Sequence, residues 1–235
     1  MSDHVTTTTA ADGSVLMIHL DDGKANALSR SIIAAVRDAV AAAESDDAIG
    51  AIVLTGRPGR FSGGFDLSVM GGGDLGAVVE LVADGGDLVR TLYGCGVPVV
   101  AACTGHAVAA GALMLLGSDV RIGVDGDFKI GLNEVAIGLT LPDWGLTIAE
   151  DRLSKRHLQR AIANARLTGP VEAADAGFLD RVVSADELLD VAIAEAATLS
   201  ATLDPGAYGR TMTGFRRPTL DKMAEQIAAD RALAP

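Results

Sequence analysis

"VPVVAACTGHAVAAGALMLLGSDVRIGV", residues 97–124, decides how this chain folds. Residues 97–105 form an apolar run bounded by Pro98 and Gly105, which reads as a buried strand. Residues 109–119 are apolar on every side and read as a short buried helix. Residues 120–124 read as another strand. A strand, an apolar helix and a second strand in close succession point to an α/β protein with crossover connections.

The flanking sequence repeats this alternation. "SVLMIHLDD" (14–22) alternates in polarity and reads as a strand. Residues 27–47 carry apolar side chains at helical spacing, with Ser29 as a cap and an acidic run closing the helix. "IGAIVLTG" (49–56) is a buried strand and "RPGRFSGGFDL" (57–67) a glycine-rich loop. Residues 74–96 are helical, with an interruption expected at Gly85-Gly86. The threonine run at 6–9 is either a flexible arm or an edge strand. Beyond residue 185 the pattern is helical throughout, with Pro205 and Pro218 as breaks. This tail has no sheet of its own and must pack on the main body or on another subunit. The chain therefore divides into a core, 1–184, and a helical region, 185–235.

Composition narrows the function. Of 235 residues 49% are hydrophobic but only 3% aromatic, so Ala, Val, Leu and Ile must build the core. A net charge of −12 and a pI near 4.6 argue against nucleic acid as a partner. They leave room for an anionic small molecule held by a few cations and backbone N–H groups. No apolar stretch approaches the length of a membrane span, and the N-terminus lacks the features of a signal peptide. Cys95 and Cys103 do not have metal-binding spacing and read as reduced thiols of a cytoplasmic protein. No metal site is expected; His4, His19 and His157 are scattered.

Two segments place backbone N–H groups where a ligand can meet them. Gly63-Gly64 after a strand is either an ordinary surface turn or a turn that aims an N–H at a ligand. The helix opening near Ala109-Ala110-Gly111 has unpaired N–H groups and the positive end of its dipole, and its small residues permit close approach. Tight helix–strand packing explains the same residues. Together, the two would make an oxyanion hole.

The segments "KANALS" (24–29), "FSGGFDL" (61–67), "GHAVAAGALMLLGSDVRI" (105–122) and "FKIGLNEVAIGLTLP" (128–142) resemble the crotonase, or enoyl-CoA hydratase/isomerase, superfamily. "LTGPVEAADAGFLDRVV" (167–183) resembles the segment that closes that family's core. The resemblance spans roughly residues 12–200. It implies a ClpP/crotonase spiral of ββα units with a helical C-terminal region for trimerisation, as a homotrimer or dimer of trimers. It implies an acyl-CoA thioester as substrate, with coenzyme A entering as part of it and no separate cofactor. By position, the oxyanion donors would be the N–H groups of Gly63 and Ala110. The family's hydratases hold a water between two glutamates. Here Leu113 occupies the first position and Glu134 the second. "IGLNE" followed by "GLTLP" is similar to Δ3,Δ2-enoyl-CoA isomerases of the mitochondrial type, which also keep a single Glu.

A lone carboxylate in an apolar stretch then makes chemical sense as a base whose pKa is raised by desolvation. Without the resemblance, Glu134 reads as an acid that caps a turn or pairs with an Arg. Asp143 is either a second acid or the cap of the following helix. The resemblance places substrate along Ala25 and Ala27, and along Ser62, Phe65, Asp66 and Leu67. Leu113 belongs to the same substrate-facing set. Trp144 lines the acyl pocket or fills the core. Lys24 and Arg60 approach a CoA phosphate or remain solvated, and Phe215, Arg216 and Lys222 stand in the same relation to the ligand's outer end. His106 has no assigned proton-transfer role. Three functions follow in order: isomerisation of 3-enoyl-CoA to 2-enoyl-CoA in fatty-acid degradation, hydration of 2-enoyl-CoA by an altered mechanism, and acyl-CoA binding without catalysis.

Overall fold

The computed structural model describes residues 3–233. The threonine run is an edge strand: β1 (Val5–Ala10) pairs antiparallel with β2 (Val15–Leu20), and its four threonines face solvent. After a short β3 (Ala27–Leu28), helix α1 (Arg30–Glu44) begins where Ser29 Oγ accepts a hydrogen bond from Ile32 N. Next come β4 (Ala51–Gly56), β5 (Gly59–Ser62), β6 (Gly64–Phe65), α2 (Leu67–Met70) and α3 (Leu75–Tyr93). Residues 97–124 give β7 (Val99–Cys103), β8 (Gly105–Val108), α4 (Ala110–Gly117) and β9 (Val120–Val124). The core closes with β10 (Ile130–Gly131), α5 (Asp143–Arg152), α6 (Leu158–Ala161), α7 (Pro170–Ala176) and β11 (Arg181–Val183).

Strands β1-β2-β4-β7-β9-β11 form one sheet, parallel except for β1. β5, β8 and β10 form a second, parallel sheet, and β3 pairs with β6. Each turn of chain lays one strand in the large sheet, one strand beside it, and a helix outside. β2-β3-α1, β4-β5-α3, β7-β8-α4 and β9-β10-α5 are four such turns, which is the spiral of ββα units. Two expectations need correction. The glycine-rich loop 57–67 contains β5 and β6, and the short loop expected between the strand ending at Thr104-Gly105 and the apolar helix is β8; these strands are too short for their periodicity to show in sequence.

The central strands are buried on both faces, as parallel strands covered from both sides must be. Ile52 and Leu54 of β4 face the core beneath α1, α3, α4 and α5, while Ala51 and Val53 face α8 (Leu188–Thr202). The last helix, α9 (Pro205–Arg231), packs against α3 and α5. The tail therefore packs on the main body of its own chain. Pro205 starts α9 rather than breaking it. Pro218 lies inside α9 without ending it, because contacts with α3 and α5 hold both halves.

α3 runs without interruption through Gly85 and Gly86. The glycines are there for neighbours. A methyl group at 85 would overlap the Phe65 ring, and a β-carbon at 86 would lie 2.8 Å from Ile227 Cγ1 and 3.0 Å from Trp144 Cε2. Cys95 and Cys103 are free and buried, and burial pushes both thiols up to about 12. Among the described residues no helix is long and apolar enough to cross a membrane.

Candidate active site

The site is built where the first two turns of the spiral touch the third. Asn26 holds them together. It is fully buried, and it takes a left-handed backbone (φ +53°), which asparagine tolerates better than most residues. Its Nδ2 donates to the carbonyls of Leu20, Arg60 and Phe61 at 2.9, 3.0 and 3.3 Å. Ser62 Oγ donates to Asn26 O (2.8 Å) and accepts from Gly64 N (3.2 Å). Asp22 shapes the same turn by accepting from the N–H groups of Lys24, Asn26 and Ala27. Burial works against its charge, but these three donors outweigh it and hold the carboxyl below its usual range. Asn26 escaped the sequence reading although it lies in the quoted "KANALS"; a turn asparagine gives no sign of where its amide will reach.

Against this turn sits the opening of α4. A β-carbon at Gly64 (φ +92°) would lie 3.0 Å from Val108 O and 3.4 Å from Ala110 N. At Gly111 it would overlap the Ser62 carbonyl. Both positions need glycine so that the two loops can meet. Ala109 has φ +53° and ψ −124°, a conformation that costs a non-glycine residue on the order of 1–3 kcal/mol. That bend leaves Ala110 N–H, the first of the helix, with no acceptor among the described residues.

The partner donor is not Gly63. Its N–H is committed to Ala25 O at 2.8 Å, so that assignment is corrected. Asp66 N donates to Leu28 O at 3.1 Å, and Gly64 pairs with Ala27. Alternation along β6 therefore turns the N–H of Phe65, the residue between them, away from β3.

The third wall is the segment after β10. Glu134 starts a short 3-10 turn, and its carbonyl accepts from Ile137 N and Leu139 N. The residue is 9% exposed, and its side chain forms no ion pair among the described residues and leaves Oε2 without a hydrogen-bond partner. Burial raises the carboxyl's pKa; the N–H groups of Glu134 and Asn133 pull it part of the way back. Asn133 Oδ1 is also buried and unpartnered. These residues open on a pocket of ≈ 390 Å³. Phe65, Ala109 and Leu113 line it with Glu134, and Met70, Val78, Val82 and Leu139 supply hydrocarbon walls. The arrangement can desolvate a ligand, offer N–H groups to one oxygen and move a proton at one carboxylate.

A family model described as enoyl-CoA hydratase/isomerase matches residues 10–234. The chain belongs to the enoyl-CoA hydratase/isomerase family. The mitochondrial enoyl-CoA delta isomerase 1 of Mus musculus is 29% identical over 94% of this chain and 77% of its own. A probable enoyl-CoA hydratase of Mycobacterium tuberculosis is 33% identical over 88% of this chain and 79% of its own. Among solved structures, an enoyl-CoA hydratase/isomerase family protein from Pseudomonas syringae superimposes with a TM-score of 0.93 at 42% identity, covering 99% of both chains. Human mitochondrial delta3-delta2-enoyl-CoA isomerase gives 0.92 at 27%, covering 98% of this chain and 90% of that one.

Within this family member, Gly63, Phe65, Leu67, Leu113 and Glu134 line one pocket. Others named from sequence stand apart. Trp144 is fully buried and packs in the core behind the pocket. Asp143 is exposed on α5; Pro142 takes the cap position, so Asp143 neither caps nor faces the cavity. Asp66 spends its carboxylate capping α2 through Ser68 N. Ser62 is buried between the loops, Ala25 supplies a carbonyl to Gly63, and Ala27 pairs in β3. Lys24 is exposed on its turn, and Arg60 donates to Gly59 O; neither lines the pocket. Arg216 is structural: it donates to Tyr93 O (2.7 Å) and to Asp119 (2.6 Å), and it stacks over the Tyr93 ring. Phe215 is 76% exposed, and Lys222 lies over a separate cleft between α5 and α9. His106 accepts from Lys129 N and packs edge-on against Phe128, a structural use. Among the described residues no cluster of His, Cys, Asp or Glu is placed to hold a metal ion.

Proposed function

We propose that this enzyme converts 3-enoyl-CoA thioesters to 2-enoyl-CoA. The observation that carries the reading is a single buried, unpartnered carboxylate, Glu134, in a pocket where Leu113 lies in place of a second acid. Glu134 removes a proton from C2, which the thioester and the adjacent double bond acidify. The charge moves onto the thioester oxygen, where the N–H groups of Phe65 and Ala110 receive it. Each such donor contributes on the order of 3 kcal/mol to the transition state. The protonated Glu134 then returns the proton at C4, and the double bond lies at C2–C3. Atoms balance with one acid and no water. Coenzyme A enters as part of the substrate, with Lys24 and Arg60 flanking the turn where its phosphates would approach. The family resemblance extends this reading to a homotrimer or a dimer of trimers.

A second reading, water addition to 2-enoyl-CoA, is favoured by Asn133, whose buried amide oxygen in the same pocket is able to hold a water beside Glu134. The hydratase-named relatives support it too. Turnover of a 3-enoyl-CoA and a 2-enoyl-CoA in oxygen-18 water separates the two. Isomerisation yields unlabelled 2-enoyl-CoA; label entering a 3-hydroxyacyl product at a comparable rate would establish hydration instead.

A further inference from the structure

We infer that Gly85, in the middle of α3, is a positioning residue for the oxyanion hole. It acts through the ring of Phe65. The inference rests on the reading above, in which Phe65 N–H is one of the two donors.

Phe65 is asked to do two things at once. Its backbone must hold an N–H toward the pocket, and its ring must go somewhere that does not fill the pocket. β6 is only two residues long and is paired on one side only, so its ladder is a weak constraint on where that N–H points. The ring supplies the missing one. It packs on α3 at Gly85, close enough that a β-carbon there would overlap both Cε1 and Cζ. A glycine inside a helix is less favourable than alanine, yet α3 carries one here without interruption. Gly86 has a separate reason, its contacts with Ile227 and Trp144. Gly85 faces the pocket side, where Val78 and Val82 of the same helix line the cavity. The glycine is thus a notch that sets how deep the ring sits. Ring depth in turn sets the donor's position, because only the short Cα–Cβ stem separates them.

A methyl group in the notch forces the ring to shift, and with the pocket on its other side the inferred path of that shift is outward, carrying the donor with it. A displacement of about 1 Å at a catalytic group costs on the order of 100-fold in rate. We therefore expect Gly85→Ala to lower kcat by about 10- to 100-fold with little change in KM. Its helix content and melting temperature should hold or rise, since alanine is the better helix former. Phe65→Leu alone should lose less than about tenfold, because the donor is a main-chain group. In the Gly85→Ala background the same Phe65→Leu change should restore activity, so that one substitution harms in one context and rescues in the other.

The decisive readout does not depend on which reaction the enzyme performs. Hexanoyl-CoA, a saturated thioester that neither isomerises nor adds water, is bound to each variant, and the thioester carbonyl stretch is read by isotope-edited infrared spectroscopy. A polarising oxyanion hole lowers that frequency. The expected result is a clear downshift in the wild type, kept in Glu134→Gln, diminished in Gly85→Ala, and recovered in the Gly85→Ala/Phe65→Leu double variant. A Gly85→Ala protein with the full wild-type downshift overturns the inference, as does a loss that Phe65→Leu does not recover. Failure of the proposed isomerisation would instead appear as absent turnover with the infrared pattern intact. Should Gly85→Ala not accumulate, Phe65→Trp tests the same notch from the other side, and an undiminished downshift there would equally contradict it.

Discussion

Glu134 is a carboxylate held where its charge is poorly solvated, and that has two measurable consequences. Because burial raises its folded pKa above the unfolded value, the folded state binds more protons across that window. Stability contributed by this group is present at low pH and lost as pH rises through the folded pKa. Glu134→Gln should therefore melt at a higher temperature than wild type under mildly alkaline conditions, with the gap closing as pH falls. The same variant should lose about 100- to 10,000-fold in turnover, the usual worth of a positioned acid/base. In the wild type, kcat/KM should rise with pH on an acid limb displaced above the ordinary carboxylate range. Asn26 offers a contrast: Asn26→Ala strands the carbonyls of Leu20, Arg60 and Phe61 and should cost roughly 1–3 kcal/mol by denaturant unfolding. At this scale Glu134 was legible in sequence because a lone acid among apolar residues is conspicuous. The Gly63 assignment was not, because its glycine advertises conformational freedom while the direction of an N–H is set by strand pairing, which commits the Gly63 N–H to Ala25 O and turns that of Phe65 away from β3.

Elements are legible where their periods run long enough to count. α1 shows its helical spacing and its Ser29 cap, and β4 and β7 show as apolar runs. β5, β6 and β8 do not, since two to four residues, GRFS, GF and GHAV, are too few to carry a period. Gly85-Gly86 misled for a physical reason: glycine marks either a weak point in a helix or a place where another element comes close, and local sequence is the same for both. The α3–α9 interface makes a prediction of its own. Arg216 is 4% exposed and neutralises Asp119, whose other oxygen accepts from Val99 N at the start of β7. Arg216→Met should leave Asp119 unpaired and cost about 3–5 kcal/mol, read as a drop in the urea midpoint. An effect below 1 kcal/mol would mean that α9 is held by its apolar contacts, Met223 and Ile227, alone.

The whole molecule is an acidic α/β spiral whose pocket opens between apolar side chains, Leu67 and Ile137 among them, that stand 75% and 53% exposed. If the helical tail assembles three copies as the family resemblance implies, light scattering should return a multiple of three times the 23.9 kDa chain; a monomer at micromolar concentration would contradict that proposal. The arrangement of spiral turns was readable from the alternation of strands and helices only together with the family motifs, because topology is set by pairings far apart in sequence. In the proposed reaction one carboxylate does all the proton transfer. This is tested most directly by following conversion of a 3-enoyl-CoA to its 2-enoyl isomer with the wild type and with Glu134→Gln, each at saturating substrate. Ready conversion by the wild type is expected, and a loss of at least about 100-fold in the variant, with CoA-thioester affinity retained. A Glu134→Gln enzyme that isomerises at the wild-type rate would contradict it.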